Sequence, residues 1–264
     1  MTKYIHILAL LLSLVLVKNP SIGQIVTLGD AVPVASQCGC YRLTDSSGGQ
    51  TGGFYENTPI DVTSPFNLRF SVNFGDDNFG GDGMAFSLQA GGSYALGAGQ
   101  WGLGIGGVAN EVHVEFDTRY SHIECGCGNN DNGVDHLGLM KNGHIAHDMT
   151  SNNLYQSGHP LIGGVSNIED GLDHKVEIDY DGVNTLTVTV DGTAQVFTVD
   201  LQTELGSSSA KWGWTGSTPT AASVSNTQTV CIANCNEIDY SLVNCQNTLM
   251  DFTANTFSFN PIVN

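Results

Sequence analysis

The sequence predicts an all-β protein, built as a sandwich of two antiparallel sheets. It has 33 glycines in 264 residues and few long apolar runs with a helical period, which favours many short strands joined by turns. Residues 66–74, FNLRFSVNF, alternate strictly between apolar and polar side chains, as expected for a strand with one buried face. Residues 174–180 and 185–190 alternate in the same way on either side of a short Asp-Gly turn, which predicts an antiparallel meander.

The remaining predicted strands are shorter runs of the same kind between glycine- and serine-rich turns. They are residues 24–28, 39–44, 84–89, 111–117, 137–140, 195–199 and 228–234. An apolar content of 41% is enough for one large core. We therefore predict a single β-sandwich domain over residues 24–240.

Residues 1–23 have the three parts of a secretory signal peptide. Lys3 supplies the positive region, residues 5–17 supply an apolar run, and residues 21–23 form a small-residue cleavage site before Gln24. A membrane anchor is the alternative, but a thirteen-residue apolar run is too short to cross a bilayer comfortably. The prediction is a secreted protein, either extracellular or on the cell surface.

Acidic side chains greatly outnumber basic ones, with 26 Asp and Glu against 8 Lys and Arg and a formal net charge of −18. Nucleic acids and anionic membranes are bound through basic patches, so this charge disfavours both as partners. No segment after the signal peptide predicts membrane insertion. The excess of carboxylates instead suits a cation-binding surface.

Seven cysteines in an exported chain predict structural disulfides, with one thiol left without a partner in the chain because seven is odd. They are Cys38, Cys40, Cys125, Cys127, Cys231, Cys235 and Cys245. The two C-x-C pairs are a weak signal for a zinc site, since the C-x₂-C spacing is absent. Structural bridges are favoured, and the sequence leaves their connectivity open.

Residues 111–147 contain the densest set of candidate metal ligands. Glu115 and Asp117 alternate with apolar residues in a strand, so they project from one face about 7 Å apart. Such carboxylates repel each other unless a cation or a shared proton relieves them. The next loop adds oxygen ligands and an imidazole, from Asn129, Asn130, Asp131, Asp135 and His136. Oxygen-rich sites suit calcium, and the histidine suits a neighbouring ion such as manganese. The alternative is a solvated strand face and a polar turn.

This segment resembles the metal-binding segment of legume-type (L-type) lectins. The resemblance lies in VEFDT and in the loop that ends D-x-x-x-x-H before a short strand. It implies a concanavalin A-like jelly-roll sandwich that binds Ca²⁺ and a second ion such as Mn²⁺. The implied ligands are Asp117 and Asp131 on both ions, Glu115 and His136 on the second ion, and the carbonyl of Arg119 on calcium. Ser121 stands where the family usually has asparagine, so Asn129 or Asn130 is expected to replace it.

A second motif, GDGMAF at residues 81–86, resembles the A-D-G-[LMI]-A-F motif of the same lectins. The resemblance implies that Asp82 accepts hydrogen bonds from two sugar hydroxyls and that the peptide bond before it is cis. An ionised carboxylate suits this role because it accepts several charge-assisted hydrogen bonds. The alternative is that Asp82 only forms an Asx turn.

The resemblance implies further sugar contacts from other loops. The glycine-rich residues 91–110 resemble the lectin loop that brings a backbone N–H to the sugar, and apolar residues alternating through them argue against a flexible linker. Trp101 and Tyr120 are candidates for stacking on the sugar, and each also suits the core. Residues 211–218 resemble the family's penultimate strand, which leads into a loop that tunes sugar choice. The predicted sugar contacts are Asp82, Gly102, Gly104, Tyr120, Asn130 and Thr220.

The other parts of the chain give fewer indications. His113, His144, His147, His159 and His174 have no spacing that indicates function, and we interpret them as solvent-facing or strand residues. The resemblance ends near residue 240. Residues 241–264 resemble the start of a polycystic-kidney-disease-type repeat and are too few to bury a core, so we expect a second, truncated β domain.

The predicted function is calcium-dependent carbohydrate binding without catalysis, with a glycan as the partner. One alternative is a glycoside hydrolase on a related jelly-roll, which commonly carries E-x-D-x-x-E on one strand. Here the position of the second glutamate is Tyr120, which argues against an enzyme. The other alternative is a structural or adhesive sandwich in which a metal only holds a loop. That alternative does not need Asp82.

Overall fold

The computed structural model describes residues 24–35, 37–91, 94–119 and 133–232. These residues form two antiparallel sheets of seven strands each, which confirms the predicted sandwich. The strands are β1 (Ile25–Gly29), β2 (Val32–Pro33), β3 (Cys40–Thr44), β4 (Thr51–Glu56), β5 (Ile60–Asp61), β6 (Phe66–Asn73), β7 (Gly83–Gln89), β8 (Glu111–Asp117), β9 (His136–Lys141), β10 (His174–Tyr180), β11 (Thr185–Val190), β12 (Thr193–Thr198), β13 (Ser209–Ser217) and β14 (Gln228–Ile232). One α-helix, α1 (Leu201–Leu205), and three 3₁₀ turns (Gln100–Gly102, Ile162–Gly164 and Ala222–Val224) complete the described elements.

The first sheet has the strand order β1-β4-β13-β7-β8-β9, with β5 pairing at the end of β13. The second sheet has the order β12-β11-β10-β6-β14-β3-β2. Neighbours in space are often far apart in sequence, since β13 lies between β4 and β7. The predicted metal strand β8 lies between β7, which begins at the GDGMAF motif, and β9, which begins at His136.

The core lies between the two sheets and is formed by the alternating apolar residues. Val112, Val114 and Phe116 of β8 are buried there, as the alternation predicts. The ring of Phe70 on β6 contacts Trp214 on β13 edge-on, with 5.3 Å between ring centroids. Aromatic contacts of this geometry bridge the two sheets and fix their separation.

Several strand ends differ from the sequence-based predictions. The strand predicted at 137–140 begins at His136 and ends at Lys141, while β12 begins at Thr193 and not at Gln195. Helix α1 was not predicted, although both of its ends have sequence signals. The Asp200 side chain accepts a hydrogen bond from the Thr203 N–H at the first turn, and Gly206 ends the helix in the left-handed conformation.

A disulfide joins Cys40 on β3 to Cys231 on β14, which are directly paired across the two strands. The prediction of structural bridges is confirmed for this pair, and Cys40 is therefore not a zinc ligand. The predicted signal peptide, residues 241–264 and the cysteines at 125, 127, 235 and 245 lie outside the described residues. Among the helices that the structure describes, none has the length and apolarity of a membrane span.

Loops cover the outer face of the first sheet, and this arrangement creates the candidate site. Residues 94–108 fold over β7 and β13 and form a small second core of Ala85, Leu103, Ile105 and Val108. Residues 144–162 fold back along β9. Glu111, His113 and Glu115 on the outer face of β8 are therefore buried under loops, and Asp117 at the strand end is half-buried.

Candidate metal and ligand site

Asp82 is held at the junction of three neighbouring strands. The peptide bond between Gly81 and Asp82 is cis, as the resemblance implies. The Asp82 N–H donates to the Ser217 carbonyl at 2.7 Å, and the Thr118 N–H donates to the Asp82 carbonyl at 3.3 Å. The aspartate is thus fixed between the end of β13 and the end of β8, and only 3% of it is exposed.

The side chain of Arg119 links Asp82 to the end of β8. Its Nη1 lies 3.3 Å from Oδ1 of Asp82, and its backbone N–H donates to Oδ1 of Asp117 at 2.8 Å. A Cβ on Gly81 would lie 2.6 Å from the Cβ of Arg119, so the glycine lets the two chains approach. The resemblance implies a ligand role for the Arg119 carbonyl and gives no indication of this side-chain contact.

Glu115 and Asp117 project from the outer face of β8, as the alternation predicts. Together with His147 they place one ligand atom each within 4.8 Å of one another. Glu115 is 2% exposed, so the alternative of a solvated acidic face is wrong for this residue. Burial raises the pKa of Glu115, but the nearby imidazoles, above all His147, outweigh it and hold the pKa below its usual value.

Three imidazoles meet beside these carboxylates. His136, His147 and His159 place one nitrogen each within 4.8 Å of one another, and Nε2 of His136 lies 2.9 Å from Nε2 of His147. Nδ1 of His136 lies 2.8 Å from the Val134 carbonyl, an acceptor only, so Nδ1 carries the hydrogen and Nε2 presents a lone pair. The interpretation of His147 and His159 as solvent or strand residues is wrong, because both lie in loops that close over the site.

Backbone pairing of residues 144–162 with β9 brings the histidines together. The Leu154 N–H donates to the Leu139 carbonyl, and the Leu137 N–H donates to the Pro160 carbonyl, both at 2.8 Å. Gly138 leaves room beneath the loops, because a Cβ there would lie 2.7 Å from Oε2 of Glu115. A glycine inside a strand commonly marks such a close approach. Gly138 is therefore the one feature of the sequence from which side chains packed over β9 could have been predicted.

The glycine-rich loop is a packed structure and not a linker. The Gly102 N–H donates to the Gly99 carbonyl at 3.0 Å, and the Gly104 N–H donates to the Ala98 carbonyl at 2.9 Å. Both N–H groups predicted to bind sugar are therefore used inside the loop in this conformation. The Ser217 hydroxyl donates to the Gln100 carbonyl, which attaches the start of the 3₁₀ turn to the residue whose carbonyl also accepts from the Asp82 N–H.

The loop after β13 returns to the same junction. Thr220 is exposed at its tip, while Ser225 forms a backbone bridge with Gly81. Between this loop and the end of β8 lies an open cavity of about 570 Å³, lined by residues that include Thr118, Arg119 and Val224. The structure thus brings Asp82, Arg119 and the Thr220 loop to one end of the sandwich.

Two buried carboxyl groups lie near each other at this end of the sandwich: Asp135 lines the cavity, and its charge acts on Glu169. Burial, together with the charge of Asp135, raises the pKa of Glu169 to about 9, and burial raises the pKa of Asp135 to about 6. The Asn226 side chain donates to Oε1 of Glu169, and the Ile168 N–H donates to Oδ2 of Asp135 at 2.6 Å. Glu169 is therefore neutral near pH 7, and no pattern in the sequence indicates this.

Glu169 predicts a measurable loss of stability at alkaline pH. Its folded-state pKa of about 9 exceeds the usual 4.5. The stability that Glu169 contributes to the fold is therefore complete below pH 4.5 and is lost as the pH rises through about 9. We expect the wild-type Tm to fall between about pH 7 and pH 9, and Glu169→Gln to reduce that fall because the amide mimics the protonated acid. Calorimetric Tm at several pH values checks this. An equal fall in both proteins would contradict it.

The described donor set fits a metal centre. Glu115 and Asp117 supply carboxylate oxygens beside the imidazole of His147, which also belongs to the group with His136 and His159. This is the mixture expected where a hard cation adjoins a transition ion. Tyr120, Asn129, Asn130 and Asp131 lie outside the described residues, so their roles in binding metal or sugar stay predictions.

The comparisons with known proteins agree with this geometry. The family model described as the legume lectin beta-barrel domain matches residues 19–234. The chain belongs to the legume lectin domain family. The match includes both motifs on which the resemblance was based, the one at Asp82 and the one at Glu115 and Asp117.

Solved structures with the same fold include two lectins and one exoplasmic/lumenal domain. Lectin II from Ulex europaeus is 22% identical, covers 78% of this chain and 89% of its own, and has a TM-score of 0.60. Peanut lectin is 24% identical, with coverages of 81% and 89% and a TM-score of 0.58. The VIP36 exoplasmic/lumenal domain, in its Ca²⁺/Man3GlcNAc-bound form, is 14% identical, with coverages of 78% and 81% and a TM-score of 0.54. At these identities the likeness establishes the fold of this lectin domain.

Proposed function

We propose that this lectin domain binds carbohydrate in a calcium-dependent manner, without catalysis. The observation that carries the proposal is the buried carboxylate of Asp82, next to a cis peptide and linked through Arg119 to Asp117 at the end of β8. Burial of a carboxylate is costly unless it is paired; Asp82 pairs with Arg119, and Arg119 lines the open cavity at this end of the sandwich, where a ligand could reach the pair.

The chemistry of Asp82 suits a sugar. A carboxylate has about four lone-pair sites, so one oxygen can accept from Arg119 while hydroxyls of a sugar donate to the remaining sites. Such charge-assisted bonds contribute about 1.5–3 kcal/mol each. Solved relatives with this fold were captured with galactose and with GalNAc, which supports a glycan as the partner.

Metal binding would hold the sugar site in place. We assign calcium to Asp117, the Arg119 carbonyl and the predicted Asp131 and Asn129 or Asn130, with a second ion on Glu115, Asp117, Asp131 and His136. Gly83 on β7 pairs with Asp117 on β8, and Asp82 immediately precedes Gly83. Asp82 therefore lies next to the end of the strand that carries the metal ligands. An ion that fixes Asp117 also fixes Arg119, which in turn contacts Asp82. When bound, calcium supplies a rigid positive centre that orders the loop ends.

We place the protein outside the cell, as a secreted or surface-attached module that binds glycans and not nucleic acid. The net charge of −18 and the Cys40–Cys231 disulfide support an extracellular setting. The rival proposal is a structural or adhesive sandwich whose metal only holds loops. It requires the metal ligands but not a sugar-facing Asp82.

A glycan array probed with the chain after signal-peptide removal tests this function. The array is read in calcium, in chelator, and in chelator followed by excess calcium. We expect binding to a restricted set of glycans that is lost in chelator and restored by calcium. Calcium binding without any glycan signal would contradict the proposal and favour the structural alternative.

Arg119→Ala gives a further prediction. Removing the guanidinium leaves the Asp82 carboxylate without the contact that orients it, and the pair is partly exposed, so we expect sugar binding about 10-fold weaker. Isothermal calorimetry with the array-identified sugar measures this, with Arg69→Ala on the opposite sheet as the control. Tighter binding by Arg119→Ala would show instead that Arg119 competes with the sugar.

A further inference from the structure

We propose that His136, His147 and His159, closed by Glu115, form a binding site for Zn²⁺, and that this site prefers Zn²⁺ to Mn²⁺. The inference rests on the proposed function and deepens it, because it concerns the ion beside calcium. Its ligands become Glu115 and His136 with His147 and His159 in place of Asp117 and Asp131, and Asp117 remains a calcium ligand. The family resemblance assigns that ion only one histidine. The two additional imidazoles come from loop 144–162, to which no role was assigned.

The geometry is close to that of a tetrahedral zinc centre. One nitrogen from each histidine lies within 4.8 Å of the others, and the His136 and His147 Nε2 atoms are 2.9 Å apart. Zinc–nitrogen bonds of about 2.0–2.1 Å place neighbouring ligand nitrogens about 3.4 Å apart. The His136 and His147 rings therefore need to move apart by only a fraction of an ångström for both Nε2 atoms to bind one zinc ion.

The hydrogen-bond partners are also those of ligating histidines. Nδ1–H of His136 is held by the Val134 carbonyl, the usual outer contact that orients an imidazole and leaves Nε2 for the metal. The Nε2 atoms of His136 and His147 are 2.9 Å apart, so either a proton on one of them is hydrogen-bonded to the other or a cation lies between them. An ion would replace that proton and bind both lone pairs.

Glu115 supplies the oxygen ligand and charge that complete the set. Its Oε2 lies 3.5 Å from Nε2 of His147, and the two side chains are only 3% and 7% exposed. Gly138 makes room for both, since a Cβ there would also lie 3.3 Å from Cε1 of His147. The carboxylate cancels one of the two charges of a divalent cation, and the low exposure of Glu115 and His147 shields the ion from water.

Ligand type decides which ion the site selects. Manganese prefers carboxylate, carbonyl and water oxygens, whereas imidazole suits zinc, and zinc also binds more tightly than manganese in the general affinity order. Three imidazoles with one carboxylate also match the four-coordinate geometry of zinc. The site would tie loop 144–162 to β9 next to the calcium loop.

Calorimetric titration of the metal-stripped chain tests the proposal. ZnCl₂ and MnCl₂ are titrated separately in excess calcium, for the wild type and for His147→Ala, His159→Ala and His144→Ala. His144 is the matched control, because it lies in the same loop but bonds to Asp148 and Thr150. Far-ultraviolet circular dichroism verifies the fold of each variant, and His147→Gln and His159→Gln replace any alanine variant that does not fold.

We expect the wild type to bind zinc about 100-fold more tightly than manganese or better. His147→Ala and His159→Ala should each weaken zinc binding by about 10-fold or more and change manganese binding by much less, while His144→Ala matches the wild type. Equal or stronger wild-type affinity for manganese would overturn the inference. Unchanged zinc affinity in both cluster variants would do the same.

Cobalt substitution gives a readout that does not depend on sugar. Co²⁺ in the wild type should give the visible absorption of a tetrahedral nitrogen-rich centre, which His159→Ala should reduce; a six-coordinate spectrum would overturn the inference. The two proposals fail in different ways. If the sugar proposal is wrong, glycan binding is absent while the zinc titration gives the expected result. Failure of the zinc inference appears as intact, calcium-restored glycan binding without zinc preference.

Discussion

Asp82→Asn is expected to abolish measurable sugar binding while leaving the fold intact. Asparagine keeps the shape of the side chain but loses the charge and one of the two acceptor oxygens, so at least one sugar hydroxyl has no acceptor. Losing one bond to a charged group outright and the charge from the other costs about 3 kcal/mol, which is about 100-fold in Kd. Calorimetry or surface binding with the sugar found on the array measures the change.

Two controls separate a local effect from a general one. Asp76→Asn changes a carboxylate in the same loop that is exposed and should bind sugar as the wild type does. Calcium affinity of Asp82→Asn should stay within a few-fold of the wild type, because Asp82 is not among the proposed ligands. Sugar binding by Asp82→Asn at wild-type affinity would contradict the assignment of the site.

Asp117→Asn is expected to weaken calcium binding by about 100-fold and to remove sugar binding with it, because charge count strongly tunes calcium affinity. Asp117 is proposed to contact calcium through its charged carboxylate, and the amide is neutral. The amide oxygen can still accept from the Arg119 N–H, so the local backbone should hold.

The measurement is a calcium titration followed by a sugar titration at saturating calcium. Glu177→Gln is the control, since that acidic strand residue lies on the other sheet and pairs with Arg69. Recovery of sugar binding at very high calcium concentration would agree with a variant that is impaired only in calcium binding. Normal calcium affinity in Asp117→Asn would remove Asp117 from the site.

The sandwich and one half of the site could be predicted because local patterns carry them. Alternation along β8 determines that Val114 faces the core and Glu115 the opposite side, whatever the rest of the chain does. The cis peptide before Asp82 could be predicted because the short motif GDGMAF is enough to support the resemblance. These features depend on short stretches of sequence and on a resemblance that those stretches support.

The other half of the site depends on contacts between distant residues. His147 and His159 have no period relative to His136, and they converge only because loop 144–162 pairs with β9. The Cys40–Cys231 bridge spans 191 residues, so no local pattern indicates it. Arg119 contacts Asp82 across a strand junction, and Glu169 acquires its raised pKa from burial, which a sequence does not display.

The dependence of sugar affinity on calcium tests the central claim most directly. The metal-stripped chain is titrated with the array-identified sugar alone, with calcium, and with zinc alone. Because binding free energies are reciprocally coupled, we predict that calcium tightens sugar binding by about 100-fold, that sugar tightens calcium binding equally, and that zinc alone does not substitute. The same sugar Kd with and without calcium would contradict the account.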